Sequence, residues 1–371
     1  MRNGAALGLI FANMHDDAVR ECTAIRSMGS LPFGGRYRLI DFVLSCMVNA
    51  GITKVGVITK SNYQSLMDHL GSGKAWDLSR KNEGLFFLPP RSSDDTMYQG
   101  RIDSLSDVMS FLQRSTEELV ILSDCHMVTG MDYSALIRAH IESHADVTVA
   151  CRRGIVPQLN DIPQLRLDAS GRVSDMLIGH LAEDTESYYG IGVYVMRKDW
   201  LMRVVKEAMA RNLHHFERDI LQARLRDYVI RGYEVPSLVM PIYSLESYFK
   251  TNMALLDPAV REELFPASRP VYTKLRDCAP GQYGLHAQVT HSLVADGTRL
   301  DGTVRNCIVF RGATVERDAV VENCIIMQDV TVARGCHLNC VIADKNVVFR
   351  DGRTLQGFDS YPVYISKGAV V

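Results

Sequence analysis

Gly34-Gly35 is followed at once by Arg36 and Arg38, and then by the apolar run Leu39 to Leu44. Adjacent glycines open backbone angles closed to other residues, so the stretch Leu31 to Ser45 reads as a loop feeding a buried helix. Two arginines at the mouth of that loop, beside a helix N-terminus with unpaired N–H groups, make a place for phosphate. The plainer alternative is a tight turn whose arginines lie in water. A second group with chemical potential is Cys336-His337 with Cys340. It offers only three metal ligands, inside a regular strand repeat where cysteine serves as a small apolar filler, so the structural reading is preferred.

These residues need elements to position them. With 371 residues, 47% hydrophobic and 23% charged, the chain is long enough for two domains with their own cores. A net charge of −2 argues against nucleic-acid and anionic-membrane partners, so any phosphate site has to be local. The apolar run Ala5 to Ala12 passes directly into Asn13-Met14-His15-Asp16-Asp17 and reads as a buried first strand. Nine cysteines without paired spacing fit reduced thiols, and the expectation is a cytoplasmic protein. Strand-like runs at 55–59, 119–123 and 147–151 alternate with helical patterns at 41–50 and 133–143, which predicts a mostly parallel sheet covered by helices. Ligands of such sheets bind beyond the C-terminal strand ends, so the segment after the first strand is the first place to look for chemistry.

The last third changes period. Pro258, Pro266, Pro270 and Pro280 mark a linker over 258–287, between an α/β domain at 1–257 and a β-rich domain at 288–371. Ile308, Thr314, Val320, Ile326, Val332 and Leu338 fall six apart, with Val309, Val315 and Val321 in parallel register. Asn306-Cys307, Asn323-Cys324 and Asn339-Cys340 recur at nearly three hexapeptides, and Asn tolerates a left-handed corner. This predicts a parallel β-helix of about four coils ending at Tyr364, whose hand the period alone does not fix.

The stretch around Gly34-Gly35 resembles the Pro-Phe-Gly-Gly-Lys-Tyr-Arg-Leu-Ile-Asp-Phe segment of the glucose-1-phosphate adenylyltransferase family. His69 to Leu78, Leu88-Pro89-Pro90, Tyr98-Gln99-Gly100 and Asp103 are similar to its next landmarks. The resemblance implies a Rossmann-like, GT-A-like nucleotidyltransferase domain followed by a left-handed β-helix. It also implies transfer of the phosphate of glucose 1-phosphate onto the α-phosphorus of ATP, with Mg²⁺ held by carboxylates.

Most parts of that machinery are replaced. The family's Gly-Gly-x-Gly-x-Arg-Leu loop corresponds here to Phe11 to Val19, whose Cβ atoms crowd the phosphate approach and whose carboxylates repel it. Met28 stands for the lysine of Arg-Ala-Lys-Pro, and Cys125 for the aspartate of Gly-Asp-His, unless a slip of one residue rescues Asp124. Gly179-His180 falls where a sugar-phosphate lysine is expected. What the resemblance leaves is a vestigial substrate pocket at Gln99, Gly100, Asp103 and Gly192, and one vestigial metal ligand, Asp219.

The chain therefore resembles the family's D-type subunit, which accompanies a catalytic partner. That implies no cofactor of its own, with Mg²⁺ in the partner, and assembly as a heterotetramer or a homo-oligomer. Arg26, Arg36, Arg38 and Lys74 are kept while the reaction site is dismantled, and either hold a phosphorylated effector or form a cluster facing solvent or another subunit. The alternatives are an active sugar-phosphate nucleotidyltransferase with shifted ligands and, far weaker, a β-helix acyltransferase using His291 or His337.

Overall fold

The computed structural model describes residues 6–60, 62–90, 99–179 and 186–371; Ala5, Tyr98 and His180 lie outside them. The strand β1 (Ala6–Phe11) is buried at every position, as a central parallel strand covered on both faces must be. It lies between β2 (Lys54–Ile58) and β4 (Leu119–Asp124), parallel to both, and β3 (Gly84–Leu88) extends the parallel edge beyond β2. On the other side of β4 the long antiparallel strand β8 (Glu186–Arg197) joins β5 (Val147–Ile155), β6 (Pro163–Leu167) and β7 (Val173–Ile178). With β9 (Ile230–Glu234) beside β5, the sheet has nine strands.

Gly34 and Gly35 both adopt positive φ, 57° and 84°, and turn a short hairpin between Pro32–Phe33 and Tyr37–Arg38. The hairpin runs into α1 (Leu39–Asn49), as the sequence predicts. Asp41 accepts the Arg38 backbone N–H at 3.0 Å, satisfying one donor of the first turn, and its carboxylate also meets His69 Nε2 at 2.6 Å and Thr273 Oγ1 at 2.6 Å. One buried acid thus ties the helix start to the helix Gln64–Leu70 and to the chain that leaves the domain.

The C-terminal region is a left-handed parallel β-helix of three five-stranded parallel sheets. Its interior is filled by three ladders: Val304, Val321 and Leu338; Val309, Ile326 and Ala343; Val315, Val332 and Phe349. Each of these coils takes 17 residues. The strict six-residue series therefore drifts, leaving Thr314 and Val320 half-buried and turning Ile308 outward onto the α/β domain. The left-handed corner residues are Asn306, Asn323 and Cys340, so the third Asn-Cys pair is shifted by one, with Asn339 inside a strand. Asn339 still accepts from Asn323 at 2.8 Å, continuing a side-chain ladder from Asn306.

The segment 258–287 holds more order than a linker reading gives it. Pro258–Leu264 is a helix started by the Asp257 side chain, with proline at its first position. The first rung of the coil is Gln282–Tyr283, two exposed residues without the apolar signal by which a strand is recognised. Ile308, Phe310, Ile325, Met327 and Ile342 share a core cluster with Leu31, Phe33 and Tyr248, so the β-helix packs one apolar face on the α/β domain. Among the described residues no helix is long and apolar enough to cross a membrane.

Candidate functional site

Two groups of charged residues sit at opposite sides of the α/β domain. The first lies at the C-terminal ends of β1 and β4, where Phe11 pairs with Asp124. The loop after β1 closes on itself through side chains instead of glycine N–H groups: Asp16 accepts the Met28 N–H at 2.7 Å and the Asn13 amide at 2.7 Å, and Asn13 Oδ1 accepts from Lys60 N at 2.9 Å. Burial pushes the Asp16 carboxyl up to about 7 despite those donors. His15 adopts the left-handed conformation at φ 65° and folds its ring inward over the strand ends.

At the centre lies Arg101, the first residue of the helix α2 (Arg101–Asp107). Its guanidinium donates to both oxygens of Asp124 at 2.7 and 2.9 Å and to Glu217 at 2.9 Å, and lies over the Phe11 ring at 4.4 Å. All three charged side chains are buried. Burial alone would raise the Asp124 carboxyl, but the Arg101 charge and the His15 contact hold it well below the ordinary range. Gly192, at φ 73°, lets β8 pass this carboxylate, since a Cβ there would lie 2.6 Å from Asp124 Oδ2.

The positions at which the resemblance expects catalytic groups take other work. Met28 is fully buried, and Cys125 is buried with Sγ against Gly29. Gly179 directly follows the strand β7, and among the described residues none lies within 4 Å of a Cβ at that position. Asp219 accepts the backbone N–H groups of His214 and His215 at 3.0 and 2.9 Å, capping a helical turn. Asp103 accepts from the N–H groups of Gln99 and Gly100 and contacts His214 Nδ1 at 2.7 Å. Gly100 is required by a close approach, its Cβ position lying 2.2 Å from the His214 carbonyl oxygen. Gln99 and Gly100 line a cleft of about 400 Å³ together with His15, Arg101, Asp161 and Glu217. These carboxylates do not fit Mg²⁺: Asp124 and Glu217 are bridged by an internal cation, and Asp219 is committed to backbone.

The second group is a narrow crevice between the α/β domain and the β-helix. Arg36, Arg38, Lys274, Arg276, Arg311 and Lys345 line it, with no carboxylate among the described residues of its walls. Arg38 is buried and donates to the Ser65 carbonyl at 2.6 Å and hydroxyl at 2.9 Å. Burial, with Arg38 and Arg26 nearby, pushes the Lys345 ammonium down to about 7. Arg26 stands behind the crevice instead of in it: its Nη2 donates to both oxygens of Asp344 at 2.9 and 2.7 Å, and Tyr364 donates to the same carboxylate at 2.6 Å. Lys74 is exposed and outside the lining.

Sequence reasoning missed Arg101, Glu217 and His15 in the cleft, and four of the six crevice cations. Arg101 directly follows the Gln99-Gly100 landmark, so a charge at a buried helix start was the available signal. Lys274, Arg276, Arg311 and Lys345 come from the chain between the domains and from two coils, and only the fold assembles them.

Comparison with known proteins follows the same division. Residues 20–253 match the nucleotidyl transferase family and residues 279–361 the GlmU-like C-terminal hexapeptide family. The chain is 35% identical to glycogen biosynthesis protein GlgD of Bacillus subtilis (strain 168) over 371 residues, covering 100% of this chain and 98% of that protein. It is 35% identical to GlgD of Geobacillus stearothermophilus, covering 85% and 83%, and 30% identical to glucose-1-phosphate adenylyltransferase of Thermotoga maritima, covering 85% and 75%. A sheet of this topology, a cleft at its strand ends and a hexapeptide coil thus place the chain in the nucleotidyl transferase family, among the glucose-1-phosphate adenylyltransferases and the GlgD proteins.

Proposed function

We propose that this chain is a regulatory, catalytically impaired subunit of a glucose-1-phosphate adenylyltransferase that serves glycogen synthesis. The observation that carries the reading is the Arg101 bridge: a buried guanidinium holds Asp124 and Glu217, the acids best placed at the strand ends to accept a metal ion. A triphosphate bound with Mg²⁺ needs those carboxylates free and a loop that admits its oxygens. Here both acids are bonded to one internal cation and the loop after β1 is closed by Asn13 and Asp16. Removing one transition-state donor typically costs about 3 kcal/mol, and several are replaced together. The competing reading, an active nucleotidyltransferase using Asp124 as a shifted ligand, requires Arg101 to leave a site in which it makes three charge-assisted hydrogen bonds.

The retained role is control. The crevice lined by six cations faces both domains, and a phosphorylated metabolite bound there touches Arg36 and Arg38 on one side and Arg311 and Lys345 on the other. Such a ligand shifts an assembly only by favouring its active form. The partner is a catalytic subunit joined in a heterotetramer, and the protein acts in the cytoplasm.

The test is pyrophosphate release from ATP, Mg²⁺ and glucose 1-phosphate. The purified chain alone is expected to show negligible turnover, with and without Cys125→Asp. Co-expressed with a catalytic subunit, it is expected to elute as one larger species whose activity responds to a phosphorylated effector. Turnover of about 1 s⁻¹ or more by the chain alone, the low end for enzymes, overturns the reading, as do two separate peaks at micromolar concentration.

A further inference from the structure

His15, Asp124 and His126 each offer one ligand atom, and these atoms lie within 4.8 Å of one another. Among the described residues this is the one such group of histidine, cysteine and acid side chains. His126 is 1% exposed, yet among the described residues neither of its ring nitrogens has a hydrogen-bond partner. A buried imidazole left unsatisfied is costly, and few proteins keep one without a use.

The neighbours of the group match a metal centre. The His15 ring stands edge-on to His126, with centroids 4.0 Å apart, and its Nε2 lies 3.7 Å from Asp124 Oδ2. Its Nδ1 lies 3.4 Å from Asp161, the carboxylate–histidine relation that commonly orients a metal-bound imidazole. Asp124 gives Arg101 one edge of its carboxylate, and a carboxylate has lone pairs for further partners. The cleft lined by His15, Asp161 and Glu217 supplies an approach from solvent.

We propose that His15, Asp124 and His126 bind one transition-metal ion of the zinc class, with a fourth coordination position open toward the cleft. Two imidazoles and one carboxylate suit Zn²⁺ or Co²⁺ and discriminate against Mg²⁺, which prefers oxygen ligands and retains its waters. The site shares Asp124 with the Arg101 bridge and differs from one that would serve phosphoryl transfer in its two imidazole ligands and in its metal.

The experiment uses the full chain, stripped with a chelator and then titrated with Zn²⁺ and with Co²⁺ in the presence of millimolar Mg²⁺. The expected result is one ion per chain by mass spectrometry of the dialysed protein, a visible Co²⁺ absorption band, and a raised melting temperature. His126→Leu keeps the volume apolar and should abolish binding. His15→Asn, chosen because asparagine tolerates positive φ, should weaken it at least tenfold. Asp161→Asn should weaken it about tenfold, as loss of an orienting carboxylate does. If His126→Leu fails to fold, His15→Asn carries the test. Uptake below half an ion per chain, or uptake unchanged in His15→Asn, overturns the proposal and leaves the histidines as packing.

Discussion

The cleft and the crevice solve opposite problems with the same kinds of residue. In the cleft, one buried guanidinium bonds to two buried carboxylates, so each acid has an internal partner. In the crevice, six cations converge with no acid among the described lining residues, only Arg311 among them meeting a carboxylate, Asp296 at 3.4 Å, and Lys345 is pushed toward neutrality by burial and by neighbouring arginines. Closed charge holds a structure together without needing a ligand, whereas open charge of one sign is a standing demand for a counter-ion. A chain that has lost catalysis but retained control would distribute its charge in this way.

The sharpest way to break that contrast is to remove one cation from each region. Arg101→Met leaves Asp124 and Glu217 buried and unpaired and should cost about 3–5 kcal/mol in urea denaturation. A loss below about 1 kcal/mol would show that the cleft is not closed by this residue. In the crevice the effect should appear in binding. Arg38→Ala, paired with an unaltered catalytic subunit, should raise the effector concentration for half-activation about ten- to a hundredfold, the value of a charge-assisted contact of about 1.5–3 kcal/mol, while basal turnover persists. An unchanged activation curve with the assembly intact would assign Arg38 to its contact with Ser65.

A smaller effect follows from Lys345. Its folded pKa of about 7 is below the unfolded value, so between pH 7 and 10 the unfolded chain holds a proton that the folded chain lacks. Stability from this group therefore rises with pH across that window, and the penalty for charging it is complete below pH 7. An anion in the crevice restores the proton, so stabilisation by inorganic phosphate should weaken by up to about tenfold in affinity per pH unit above pH 7. Melting curves at pH 6.5 and 8.5 measure this, and Lys345→Met should flatten the difference; an equal response in the variant would remove Lys345 from the site.

Much of the scaffold was readable from pattern because pattern reports burial. The run Ala6–Phe11 is apolar since both its faces are covered, and Tyr133–Ser143 shows a helical stripe bounded by Asp132, which caps it. The coil was legible as a repeat but not in phase, because 17 residues per turn displace a six-residue count by one at every coil. Asp219 illustrates a different limit: an aspartate at the expected place in a motif spends its carboxylate on two backbone N–H groups. Sequence order gives the residue type, but the direction of a side chain belongs to the fold. Arg26 was likewise visible as a cation, while the acid that engages it lies 318 residues further on.

The register of the β-helix also bears on how the chain acquires its structure. Leu300 faces Val315 and Val304 faces Val321, so these rungs are laid on chain made only fifteen to seventeen residues earlier, and the last, where Val341 faces Val363, on chain made 22 residues earlier. In the large sheet, Ala6 waits for Leu119. Loop closure should therefore be fast in the coil and slow in the sheet. Since synthesis runs from the N-terminus, the slow unit has the head start, and the coil can zip last onto an apolar face already waiting for Ile308, Ile325 and Ile342.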